Sequence, residues 1–257
     1  MNRIGEVFQN RKAFIPFITA GDPSLEITEQ LVYRMTEAGA DLIELGIPFS
    51  DPVAEGPVIQ AADARALAAG TTTDDIFTMV EGIRKKCGIP IAFMTYANPI
   101  FTYGTERFLE RCRSAGVDAL IVPDVPFEEK EELSPHCKRH GITLISMIAP
   151  TSRERIIKIA GEAEGFLYCV SSLGVTGERE KIGTEAADMI YQVKEVRDIP
   201  CAVGFGISTP AQAAMLKEAA DGIIVGSAIV NLIAEYGTDC VPKVEEYVKR
   251  MAAALRQ

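Results

Sequence analysis

Histidine is scarce in this chain: among 257 residues only His136 and His140 occur. They stand four apart with Cys137 between them, but no His-Glu-x-x-His pattern or further ligand set accompanies them. A His-based nucleophile triad and a metal site are therefore not expected. The six cysteines are scattered without a Cys-x-x-Cys pair, which predicts reduced, mostly buried thiols rather than a disulfide frame. A dinucleotide fingerprint is missing too, since "GFGIST" at 204–209 lacks a third glycine and comes late in the chain. Positive charge is in deficit. The net charge of -10 argues against a nucleic-acid or anionic-membrane partner, and an anionic substrate would need a local device such as backbone amides at a helix start. No run approaches the roughly 18 apolar residues of a membrane helix, and the opening "MNRIGEVFQNRKAFIPF" has no apolar leader core. A cytoplasmic protein is expected. No linker, low-complexity tract or charge block divides the chain, so one domain over 1–257 is expected.

What is present is repetition. Apolar runs begin at 13, 41, 89, 117, 142, 165, 199 and 221, and each is followed by a helix-like segment. The runs are rich in Ile, Val, Leu and Phe on both faces, as when both sides are buried. Gly39, Gly116 and Gly141 sit where helices would end, and Asp22, Ser24, Ser152 and Thr209 where they would start. Eight strand–helix units predict a single eight-stranded parallel β/α (TIM) barrel with an N-terminal helix and extra short helices. A doubly wound open sheet is the weaker alternative.

Within the second run, "DLIELGI" alternates so that Ile43, Leu45 and Ile47 share one face and Leu42, Glu44 and Gly46 the other. The bulky face suits the outer helices, which turns Glu44 into the barrel. A carboxyl there either finds donors or keeps its proton near neutrality, and a proton held near neutrality suits general acid–base work. The bland reading is a buried glutamate paired with a cation from elsewhere. Glu55 follows in a loop broken by Pro52, Gly56 and Pro57, where barrel enzymes keep their chemistry. The seventh and eighth units end in "VGFGIST" and "IVGSAIV", two glycine-lined helix starts suited to a phosphate group. The loop "SSLGVTGEREK" at 171–181 has the polar, Gly-hinged composition of a lid.

Six stretches, "IELGIPFSDPVAEGPVIQ", "MTYANPIFTYG", "LIVPDVPFEE", "GVTGER", "GFGIST" and "GSAIV", occur in an order and spacing that resemble the tryptophan synthase α subunit over nearly the whole chain. The resemblance implies retro-aldol cleavage of indole-3-glycerol phosphate to indole and glyceraldehyde 3-phosphate, with no cofactor in this chain. It implies that Glu44 protonates indole C3 and removes the glycerol hydroxyl proton. Glu55 stands where the family usually has an aspartate that accepts the indole N–H, a departure that lengthens the arm by roughly 1.5 Å. Gly177, Gly206, Gly226 and Ser227 match phosphate-binding positions, Tyr168 and Thr176 the substrate and lid region, and Phe17, Ile59, Met94 and Phe205 the apolar indole pocket. Ser172 stands where some members have arginine. The resemblance further implies a pyridoxal-phosphate β subunit that receives indole through a tunnel in an α2β2 tetramer. Pro48, Asp51, Pro52, Asn98, Pro99, Asp124 and Pro126 would face it. The alternatives are a stand-alone lyase releasing free indole, another phosphate-sugar isomerase or epimerase, and a non-catalytic activator.

Overall fold

A parallel sheet closed on itself organises the computed structural model, which describes residues 3–9, 11–170, 179–204 and 206–256, with side chains left out at 179–185. The strands are β1 (Ala13–Thr19), β2 (Ile43–Gly46), β3 (Ile91–Met94), β4 (Ala119–Ile121), β5 (Thr143–Leu144), β6 (Ser146–Ile148), β7 (Leu167–Val170), β8 (Cys201–Gly204) and β9 (Gly222–Val225). Their order is β5-β4-β3-β2-β1-β9-β8-β7-β6. The two ends of that order are halves of one stretch interrupted at Ile145. β5 pairs with β4, and β6 pairs with β7. The predicted eight-stranded parallel β/α barrel is therefore present, with its fifth strand split in two where it changes partner.

The helices are α1 (Leu25–Glu37), α2 (Pro57–Ala68), α3 (Thr73–Arg84), α4 (Ala97–Tyr103), α5 (Thr105–Ala115), α6 (Ser134–His140), α7 (Arg153–Glu162), α8 (Arg179–Lys194), α9 (Pro210–Leu216), α10 (Ser227–Tyr236) and α11 (Val241–Arg256). Local chemistry starts and stops them. The Ser24 hydroxyl accepts from the Ile27 N–H at the start of α1, Ser152 does the same for Arg155 in α7, and Thr209 for Gln212 in α9. Gly116 and Gly141 end α5 and α6 in the left-handed region. Asp22 does not cap a helix as the sequence suggested. It is buried and takes two 2.8 Å bonds from the Arg65 guanidinium. At the N-terminus the expected helix is, among the described residues, a 3-10 turn, Arg3–Glu6, because the short lead into β1 is used as a plug. Ile4 and Val7 are buried in the barrel interior with Phe8 packed beside them.

Strand parity separates two cores. Outward residues such as Ile43, Leu45, Ile91 and Phe93 pack under the helices. Inward residues such as Ile15, Phe17, Leu42, Ala92, Met94, Ile121 and Tyr168 form the second cluster. At the plugged end three aspartates tie neighbouring strands together. Asp41 accepts from the Phe14 N–H, Asp118 from the Ile91 N–H and Asp221 from the Cys201 N–H, each at 2.9 Å. Asp118 also meets Arg3 at 2.9 Å and the largely buried Arg84 at 3.0 Å. Removing one partner of such a buried network leaves a charge uncompensated, which costs about 3–5 kcal/mol. Asp118→Ala should thus lower the urea unfolding free energy by about that amount. A loss below roughly 1 kcal/mol would mean that the network carries little of the fold.

Candidate active site

The inward face of β2 carries the site's central group. Glu44 pairs in register with Phe17 on β1 and Ala92 on β3, and it is only 1% exposed. Neither of its carboxylate oxygens finds a hydrogen-bond partner among the described residues. Burial first, and the charge of Glu55 second, push its carboxyl from 4.5 up to about 8. At neutral pH it therefore holds a proton. The bland alternative, a glutamate neutralised by a cation, is not what the geometry provides among the described residues.

Glu55 lies on the loop between β2 and α2, and three contacts shape that loop. The Glu55 N–H donates to the Pro52 carbonyl at 3.0 Å, its carbonyl accepts from the Gln60 amide at 2.8 Å, and the Ala54 N–H donates to the Tyr96 hydroxyl at 3.1 Å. The Glu55 side chain is half-buried. Burial, then the charge of Asp63, raise it from 4.5 to about 7. Tyr168 on β7 is buried among the same groups, and burial followed by Glu44 and Glu55 holds its phenol well above the ordinary value. The two carboxyls and this phenol thus share one apolar chamber, with Phe17, Ile59 and Met94 in its walls.

Glycines make room at the strand ends. A Cβ on Gly46 would lie 2.7 Å from the Phe17 ring, and one on Gly204 would lie 2.6 Å from the Tyr168 ring. Gly226 also abuts Phe17, at 3.3 Å from a notional Cβ, so the Phe17 ring spans from the end of β2 to the end of β9. Gly226 and Ser227 begin α10, whose N-cap makes no side-chain bond. The start of α9 differs from expectation. Its Gln212 side chain accepts from the Ser208 and Thr209 N–H groups at 2.9 and 3.0 Å, closing a capping box. Of the two glycine-lined starts, α10 is the one without a side-chain cap. Gly206, on the loop before α9, has φ of +73°.

Thr176, Gly177 and Phe205, together with Ser172, lie outside the described residues. Of the seven residues assigned to a partner surface, Pro48, Asp51 and Pro52 lie on the loop after β2, Asp124 and Pro126 on the loop after β4, and Asn98 and Pro99 in the first turn of α4. Pro48 and Pro52 are buried, Pro99 is half-buried, and Asp51, Asn98, Asp124 and Pro126 are exposed. Asp124 accepts from the Ala97 N–H with both oxygens, at 3.0 and 3.2 Å, and so ties the loop after β4 to the start of α4. Sequence reasoning missed Val53 (81% exposed) and Phe101 (48% exposed) on these segments; an apolar residue within a turn-rich loop was the available signal. It also missed Asp63 on α2, which is 4% exposed. His136 and His140 both bond to Glu106, at 2.7 and 2.8 Å. No group of three or more His, Cys, Asp or Glu that could hold a metal exists among the described residues.

Comparison with known proteins follows the same lines. The family model described as tryptophan synthase alpha chain matches residues 6–256. The tryptophan synthase alpha chain of Lacticaseibacillus casei is 46% identical over 255 residues, covering 99% of this chain and 96% of that one. The alpha chain of Thermoanaerobacter sp. (strain X514) is 47% identical over 262 residues, covering 99% and 100%. The crystal structure of tryptophan synthase subunit alpha from Legionella pneumophila superposes with a TM-score of 0.91 at 40% identity, covering 100% of this chain and 99% of that one.

The raised Glu44 carboxyl has a consequence for stability. The unfolded carboxyl releases its proton near 4.5 and the folded one only near 8. Ionisation therefore favours unfolding increasingly as pH rises through that window, and the penalty levels off above it. It amounts to on the order of 5 kcal/mol. Glu44→Gln should be more stable than the parent chain at pH 8.5 and equal to it at pH 4.5, measured by urea unfolding. Equal stability at both pH values would place an unseen counter-charge beside Glu44.

Proposed function

The chain belongs to the tryptophan synthase alpha chain family, and on that footing we propose that Glu44 and Glu55 perform its chemistry inside the barrel. The activity is cleavage of indole-3-glycerol phosphate to indole and glyceraldehyde 3-phosphate, a carbon–carbon lyase step of tryptophan biosynthesis. One observation carries the residue assignment: Glu44 is buried, protonated at neutrality and bonded to nothing among the described residues.

The steps follow from charge and position. Glu44 gives its proton to C3 of the indole ring, and the positive charge that develops spreads to the ring nitrogen. Glu55, as carboxylate, accepts the N–H and stabilises that charge. Glu44, now ionised, takes the proton from the glycerol hydroxyl next to the ring. The C–C bond breaks, its electrons return to the ring, and the former hydroxyl carbon becomes the aldehyde. The proton lent at the start is recovered, so Glu44 ends as it began. Phe17, Ile59 and Met94 line the apolar space for the ring, and the family resemblance assigns Phe205 to that pocket and Tyr168 and Thr176 to the substrate and lid region. The uncapped start of α10 at Gly226 and Ser227, with Gly206 and Gly177, holds the phosphate. The glutamate arm at 55, longer than the usual aspartate, keeps the acceptor chemistry.

An alpha chain implies a β-subunit partner. We read the assembly as α2β2, with pyridoxal phosphate in the β subunit and indole passing between the two. The partner face comprises Asp51, Asn98, Pro99, Asp124 and Pro126, with Pro48 and Pro52 buried behind it, and exposed Val53 and Phe101 extend it with apolar surface of the kind that interface cores use. No helix among the described residues is long and apolar enough to cross a membrane, and the reading places the protein in the cytoplasm as one domain over 1–257.

The test is indole release from indole-3-glycerol phosphate, with and without a β subunit. Glu44→Gln should lower kcat by about 10²–10⁴-fold, the usual worth of a general acid–base. Glu55→Ala should lower kcat/KM, and the β subunit should raise the parent rate. Near-normal turnover by folded Glu44→Gln would remove Glu44 from the mechanism, and fast turnover alone that no β subunit changes would favour a stand-alone lyase.

A further inference from the structure

Asp63 is a third acid beside Glu44 and Glu55, and the reaction as assigned leaves it without a part. It sits on α2, 4% exposed. The one arginine of that helix, Arg65, is engaged by Asp22. Asp63 instead touches neutral donors from two other elements. Its Oδ1 lies 3.4 Å from the Thr19 hydroxyl at the end of β1, and its carboxylate accepts the backbone N–H of Phe49. Phe49 belongs to the loop that runs from β2 to Glu55. The carboxylate thus stitches the end of β1, this loop and α2 together at the chamber's edge.

We infer that Asp63 is a positioning residue for Glu55: it anchors the Phe49 end of the loop that carries Glu55 and sets a second negative charge behind that carboxylate. An anion there makes Glu55 a stronger acceptor for the substrate N–H, because a carboxylate destabilised by a like charge gains more from a proton donor. The inference rests on the reading of Glu55 as that acceptor. The charges around Asp63 agree with it. Burial and then the charge of Asp22 raise its own carboxyl to about 7, against the opposing pull of the Phe49 N–H and the Thr19 hydroxyl. The charge of Asp63 in turn raises Glu55. From the elements packed around α2, β1 contributes no charged side chain, α10 contributes exposed Glu235 and Tyr236, and the loop after β3 contributes Tyr96, whose phenol is raised by burial first and by Glu55 and Asp63 after it.

The experiment is the pH profile of kcat/KM for indole release by the full chain, for the parent, Asp63→Asn and Thr19→Val. Asp63→Asn keeps an oxygen for both donors and removes the charge. Its acid limb, set by ionisation of Glu55, should move about one unit to lower pH, and kcat at the optimum should fall, because Glu55 then accepts the N–H less strongly. Thr19→Val keeps the charge, so its limb should stay in place whatever happens to kcat. An Asp63→Asn limb that does not move, with or without a uniform loss of kcat, would reduce Asp63 to a structural contact and overturn the inference. If Asp63→Asn fails to fold, Asp63→Ser takes its place with the same expectation. A folded parent that releases no indole at any pH would instead sink the reading of the reaction itself.

Discussion

A carboxyl group enclosed by apolar strand residues, with no cation paired to it among the described residues, is the constraint on which the rest of this molecule turns. Water would solvate Glu44 as an anion; its apolar surroundings do not, so the group keeps its proton at neutral pH. A folded protein tolerates such a group only if the surrounding structure is stable enough to absorb the cost of ionising it. The proposed chemistry uses the same property. An acid that is neutral at pH 7 can give a proton to carbon, and the carboxylate it leaves behind is basic enough to take one from a hydroxyl.

The two ends of the barrel divide the labour. At the plugged end, Asp41, Asp118 and Asp221 each accept a backbone N–H from a neighbouring strand, and arginines or lysine close the charges. Those carboxylates are saturated with donors. At the open end, Glu44, Glu55 and Asp63 are acids with raised proton affinity, and glycine at 46 and 204 lets aromatic rings lie against the strand ends. Residues of the same chemical type thus hold the fold together at one end and keep their protons to higher pH at the other, according to the donors around them. The loop after β2 links the reactive end to the outside: Glu55 is on it, Tyr96 and Asp63 hold it, and Val53 projects from it into solvent. A partner that presses on Val53 presses on the segment that positions Glu55.

Much of this was legible in the residues. Period-two alternation alone turned Glu44 inward and Ile43 and Leu45 outward, because a strand leaves no other choice once its register is set. The eight apolar runs located the barrel. What escaped has physical reasons. The break at Ile145 arises where one strand must serve two neighbours, and nothing in "ITLISMIA" marks it. The N-terminal turn depends on Ile4 finding the barrel's end, a long-range contact. Gln212 reads as an ordinary helical residue until its amide is seen capping Ser208 and Thr209. Asp63 lies in "AADARAL", which reads as a polar position on a helix; only the approach of Thr19 and Phe49 buries it. Recognition of the lid and part of the indole pocket rests on sequence resemblance, since Ser172, Thr176, Gly177 and Phe205 lie outside the described residues.

The most direct test of the central claim is the titration of the Glu44 side chain itself, followed by carbon-13 NMR of the carboxyl in glutamate-labelled protein, with Glu44→Gln to assign the signal. The account predicts a protonated carboxyl at pH 7 with a midpoint near 8. A midpoint near the ordinary 4.5 would mean that Glu44 is already an anion at neutrality and cannot be the acid that starts the reaction.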